Sequence, residues 1–214
     1  MQNFLKEVRS PVSIPLSKKA VNSLVLLLAG SSFGVFSKML DQTPSNELPY
    51  FLEMLDLGNF FSRIGIWLFL SVLISVYSKS PGRAMVNVFL FLAGMVGSYF
   101  LYTVFIAGFF PESYMMFWII VTVFTPFLAY LCWYAKGRGI MGIGISSLIV
   151  MLLLRQAFSF GIWYFHLKSP LELLLLIAAV FVLYQSKRQI IKVVIIGLIL
   201  RFLTADMYFF WGLL

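Results

Sequence analysis

Long apolar runs separated by short polar stretches dominate the chain, at residues 20–36, 60–77, 84–110, 114–134, 140–165, 170–184 and 193–214. A helix that crosses a bilayer needs about 20 mostly apolar residues, because it rises about 1.5 Å per residue through a hydrocarbon layer about 30 Å thick. The pattern therefore predicts an all-α, polytopic integral membrane helix bundle with seven transmembrane helices. Arg201 and Asp206 interrupt the last run, and if it lies along the interface the count falls to six.

The polar stretches refine this picture. Residues 1–19 form a cytoplasmic amphipathic segment in which Phe4, Leu5 and Val8 share a face until Pro11 and Pro15 end it, or else an unstructured tail. Residues 20–214 form a single transmembrane domain, whose first run reads as an uncleaved span and not as a signal peptide. Between Lys38 and Asn59 the chain turns acidic, and a short outer interfacial helix is expected over 48–57, with Pro49 in its first turn and Gly58 as its stop. Gly30 and Gly34 are spaced for close helix contact, within the chain or across a dimer. Pro126 should kink the fourth span.

Composition agrees with a membrane setting: 61% of residues are hydrophobic and 11% charged, far from the roughly 25% charged residues of soluble domains. The net charge of +8 does not point to nucleic acid, since the basic residues sit between apolar runs instead of along one face. Most of the 16 Lys and Arg residues fall in alternate loops, around Lys18, Lys79, Lys136 and Lys187, which predicts a cytoplasmic N-terminus in a multi-pass plasma (inner) membrane protein. Three of these loops, at Lys79, Lys136 and Lys187, follow a tyrosine (Tyr77, Tyr134 and Tyr184), a likeness that an old hairpin repeat or an interfacial aromatic belt would give.

Candidate chemistry is sparse. Cys132 and His166 are the only residues of their types, so an intrachain disulfide and a Cys/His metal site are excluded within one chain. They are expected at opposite ends of their spans, beyond the hydrogen-bond reach that nucleophile and base require. No nucleotide loop or cofactor fingerprint is present, and the chain is expected to be neither an enzyme nor a cofactor or metal binder.

What remains is a set of charges inside apolar runs. Counted from the inner ends of their spans, Arg63, Arg155 and Asp206 lie at about 20 Å, and Arg201 at about 12 Å. The sequence thus predicts a polar layer in the outer half of the bilayer, with Arg155 in mid-span and Gln156 and Tyr99 as neutral hydrogen-bonding neighbours. A guanidinium suits carboxylate or phosphate, so the expected ligand is a small anionic or zwitterionic solute or a lipid headgroup. The expected function is a transport or solute-binding component, alone or with other membrane or ATPase subunits. In size and hydrophobicity the chain looks like the substrate-binding subunits of vitamin importers, a likeness of bulk properties that carries no residue roles. The alternative is a membrane interaction, assembly or immunity protein in which the buried charges only fix helix register.

Overall fold

The computed structural model describes residues 8–44, 47–160 and 164–204, with the backbone alone for Phe160. Nine α-helices are found among these residues: α1 (Leu16–Gln42), α2 (Tyr50–Met54), α3 (Leu57–Ser62), α4 (Ile64–Tyr77), α5 (Pro81–Phe105), α6 (Glu112–Trp133), α7 (Gly139–Ala157), α8 (Pro170–Leu183) and α9 (Lys187–Leu203). One small hairpin, β1 (Phe158–Phe160) with β2 (Phe165–Leu167), separates α7 from α8. Four of the described helical segments are long and apolar enough to cross a membrane: Leu16–Gln42, Pro81–Phe105, Glu112–Lys136 and Gly139–Ala157. At 14 residues each, α4 and α8 reach only about 21 Å.

Several expected boundaries move, each for a local reason. The second run breaks at Arg63, which stands at a bend between α3 and α4. The expected helix over 48–57 shrinks to α2, and Gly58 is not its stop but part of α3. Asp56 makes the left-handed turn instead, at φ 51°, with its carboxylate taking a 2.8 Å bond from Asn59; a short polar side chain tolerates that conformation. The last helix starts six residues early because Ser186 caps it, accepting from the Gln189 amide.

The largest correction concerns the fifth run. Helix α7 ends at Ala157, so Arg155 lies in its last turn and not in mid-span. Phe158-Ser159-Phe160 is extended and pairs antiparallel with Phe165-His166-Leu167, Ser159 opposite His166. Aromatic residues favour a pleated strand, and the Lys168 amide closes the hairpin by donating to the Ala157 carbonyl at 2.9 Å. The expected amphipathic face at Phe4 and Leu5 lies outside the described residues.

The described chain divides into two compact units. In the N-terminal unit, Pro11–Ser62 and Tyr77–Leu131, helices α1 and α5 pack closely. Gly30 and Gly34 of α1 lie against the Phe91 and Met95 carbonyls, and Gly94 of α5 against that of Leu27. The small-residue spacing thus serves contact within the chain. Arg83 ties the same pair together, donating to the Lys19 carbonyl, Ser23 Oγ and Asn87 Oδ1 at 3.0, 2.6 and 2.7 Å.

The C-terminal unit, Met1–Ser10, Arg63–Val76 and Cys132–Leu214, is built from α4, α7, α8 and α9. Its core joins Val72 and Val76 to Val150, Leu153, Ala179, Leu183 and Val193, all buried. Gly197 lets α9 approach the Ser147 carbonyl of α7. Because successive helices run in opposite directions, the start of α4, the end of α7, the start of α8 and the end of α9 fall together. Those four ends carry Arg63, Arg155, Glu172 and Arg201.

Candidate functional site

A cavity of about 400 Å³ opens at that end of the C-terminal unit, lined by Arg63, Gln156, His166 and Lys168. Each lining residue is placed by a different piece of backbone: the bend before α4, the last turn of α7, strand β2 and the loop before α8. Gln156 is buried, presenting an amide as a neutral donor and acceptor. No lining residue is acidic.

The electrostatics are strongly one-sided. Burial, and then the positive charges of Arg201, Arg155 and Arg63, hold the Lys168 ammonium below the ordinary lysine value. Glu172 works against them and is too weak to reverse the shift. The Lys168 ammonium donates to the Arg155 carbonyl at 3.1 Å, an anchor that leaves two more N–H groups. Arg201 is buried, at 5% exposure, and its charge acts on Lys168. Four cations and one carboxylate thus converge on a small volume.

Glu172 is the unusual member. It stands in the first turn of α8, where an N-terminus favours an anion. Its side chain is 0% exposed, and among the described residues neither carboxylate oxygen has a hydrogen-bond partner. The carboxylate packs instead against the bare α-carbon of Gly65, in the first turn of α4. Arg63 and Lys168 act on it through space.

Of the residues singled out from sequence, Arg63 and Gln156 share the cavity, Arg155 supplies a carbonyl and a charge beside it, and Arg201 supplies a charge. Asp206 lies outside the described residues. Tyr99 belongs to the N-terminal unit, where its hydroxyl donates to Asp41 at 3.0 Å. There Lys38, 2% exposed, pairs with the same Asp41 oxygen at 2.7 Å and lies about 5 Å from the Tyr99 and Phe109 rings.

Sequence reasoning missed His166, Lys168 and Glu172. From sequence, His166 counts only as a base for Cys132, Lys168 falls in a short polar stretch between apolar runs, and Glu172, just after Pro170, is sufficiently explained as an anion at a helix N-terminus. Their signal was present as Lys168 and Glu172 four residues apart around Pro170, at the mouth of an apolar run.

Compared with known protein families, characterised proteins and solved structures, the chain shows no match.

Proposed function

We propose that this chain is a seven-span integral membrane protein with a cytoplasmic N-terminus, acting as a transport or solute-binding component for a small oxyanion-bearing ligand. The observation that carries this reading is the cavity lined by Arg63, Gln156, His166 and Lys168 with no acid among them. Cations with N–H donors to spare recognise carboxylate, sulfate or phosphate groups, and here Arg63 is half-buried while Lys168 is exposed to an incoming ligand. The absence of an exposed acid on the cavity favours an anion over a zwitterion, whose ammonium would lack a counter-charge there. The loop charges favour a cytoplasmic N-terminus, which supports an outward-facing position for this cavity.

The ligand group could be carried by a free solute or by a lipid headgroup, and one experiment separates them. The full chain in phosphatidylcholine nanodiscs should bind radiolabelled sulfate, and Arg63→Gln or Lys168→Gln should weaken binding by about 10- to 100-fold, the value of one charge-assisted hydrogen bond. Lys187→Gln, on an exposed residue at the far end of α9, should not. Adding phosphatidylglycerol displaces sulfate if a lipid headgroup is the ligand, and leaves it bound if a solute is. Absence of sulfate binding in every nanodisc would overturn the proposal in favour of a purely structural cluster.

A further inference from the structure

A carboxylate that is fully buried, with no hydrogen-bond donor on either oxygen, costs free energy that only nearby positive charge can offset. For Glu172 that charge comes from Arg63 and Lys168. These are the same two cations that line the cavity. An anion bound there would use the charges that offset part of the cost of burying the Glu172 carboxylate and would add a like charge beside it. The Gly65 backbone and the surrounding core seal the carboxylate at 0% exposure, so a ligand atom cannot reach it, whereas a proton can.

We infer that Glu172 is a proton-binding site coupled to the cavity, so that binding of one anion drives uptake of one proton. This rests on the anion-site reading above and extends it to proton-coupled anion binding. The proton comes from solution and forms an O–H bond on the Glu172 carboxyl. The carboxylate loses its negative charge as the anion brings one in. Coupling between two sites is reciprocal, so protonation of Glu172 tightens the anion site by the factor with which the anion favours the proton.

Arg63, before α4, and Lys168, before α8, act on Glu172 directly; Arg155 of α7 and Arg201 of α9 act on Lys168, Tyr164 acts on Arg201, and His166 of β2 lines the cavity. The arginines stay charged across the accessible range. His166 is the rival proton carrier, because it lines the cavity and an imidazole has a ring nitrogen that can take a proton.

Sulfate is the suitable probe, since it stays fully ionised between mildly acidic and neutral pH. Calorimetric titration of the full chain in phosphatidylcholine nanodiscs, in buffers of different ionisation enthalpy, counts protons taken up per sulfate. For the wild type we expect about one proton per sulfate, and an affinity that falls by up to about tenfold per pH unit as pH rises; His166→Asn removes a cavity-lining group and weakens binding, but each sulfate it binds should still take up about one proton. For Glu172→Gln we expect sulfate binding to persist without the uptake. Infrared difference spectra of the wild type should show a carboxylic C=O band appearing with sulfate, which keeps the test open if Glu172→Gln does not fold. Binding without proton uptake, or uptake that survives in Glu172→Gln or vanishes in His166→Asn, overturns the coupling and leaves the anion site standing. No sulfate binding to the wild type overturns the anion site, and the coupling with it.

Discussion

The Glu172 carboxylate rests on the α-carbon of Gly65, and a Cβ built at Gly65 would overlap both carboxylate oxygens and the carbon between them. A glycine in the first turn of α4 otherwise contributes nothing to the helix and costs up to about 1 kcal/mol relative to alanine. Here it gives the α8 carboxylate its seat. Gly65→Ala should therefore destabilise the protein, by about 1–3 kcal/mol, because an overpacked site must push a buried polar group out of place. Gly144→Ala, in α7, is the matched comparison: a Cβ there meets nothing within 4 Å. It should leave stability unchanged or raise it slightly. Thermal unfolding of the two variants in the same detergent checks the contrast, and equal midpoints would remove the seat argument.

Lys168 gives a pH dependence whose sign follows from its surroundings. Burial, then Arg201, Arg155 and Arg63, disfavour its charged form, so its folded value lies below the ordinary 10.5. The native state then holds fewer protons than the unfolded chain in the interval between the two values, and stability rises with pH there. The strain of the charged form is present at neutral pH and relieved as pH climbs through the folded value. Anion binding moves the opposite way, since the ligand needs that charge. Sulfate affinity should fall on going from neutral to alkaline pH earlier than an ordinary lysine would allow. In the Glu172→Gln background, which removes the carboxyl's own pH dependence, Lys168→Arg should bind at neutral pH and hold its affinity into the alkaline range, because a guanidinium does not discharge. Parallel loss in both proteins would assign the alkaline fall to another group.

The helical, membrane-like character of the chain was legible in the sequence because apolar period and run length survive any detail of packing. The spans' limits were less so. Arg155 read as mid-span because residues 140–165 are mostly apolar on both sides of it, and hydropathy does not distinguish the end of a helix from the aromatic hairpin that follows. Arg63 and Gln156 were found because charge and amide groups inside apolar runs are conspicuous. Glu172 was overlooked because its position in a first turn had a sufficient local explanation, whereas its contact with Gly65 links residues more than a hundred positions apart. Tyr99 shows the converse: a depth count selects a plausible hydroxyl, and the fold commits it to Asp41.

In the N-terminal unit, Lys38 should behave as a charge that depends on its partner. It is 2% exposed, while the Asp41 side chain is 46% exposed. Asp41→Asn removes the carboxylate and leaves the ammonium buried against two aromatic rings. We expect a loss of about 1–3 kcal/mol, less than for a fully buried pair because water still reaches Asp41. The double variant Lys38→Met/Asp41→Asn should recover part of that loss. A double variant worse than Asp41→Asn in denaturant unfolding would show that Lys38 has other support.

Topology can be read chemically because Cys132 is the sole cysteine. After Cys132→Ala, single cysteines at Ser80 and Ser186 should be labelled by a membrane-impermeant maleimide only when the cytoplasmic face is open, and one at Glu53 from the outside of intact cells. Ser80 precedes α5 and Ser186 precedes α9, both beside the basic clusters that favour the cytoplasm. Labelling of Ser80 and Ser186 from opposite sides would break the seven-span arrangement between α5 and α9, whereas labelling of both from outside would invert it.

Arg9 fastens the N-terminal segment to the C-terminal unit. Its guanidinium lies 4.3 Å from the Trp133 ring centroid, donates to the Val76 carbonyl at 2.8 Å and also bonds the Trp133 carbonyl. The two carbonyls belong to the ends of α4 and α6, where helices leave acceptors unsatisfied. One residue before it, Val8 packs on Gly137 and its carbonyl accepts from the Arg138 amide at 2.9 Å. Lysine could supply the charge but neither the planar stack nor two diverging donors. Arg9→Ala should therefore cost about 2–4 kcal/mol, from two charge-assisted bonds and the ring contact, and Arg9→Lys should recover little of it. The segment's attachment can be followed by limited trypsin cleavage at Arg138, whose amide the Val8 carbonyl holds, and this should accelerate in both variants in nanodiscs. If cleavage is as slow in Arg9→Ala as in the wild type, the strap is held by Val8 and its backbone bond, and the guanidinium is dispensable.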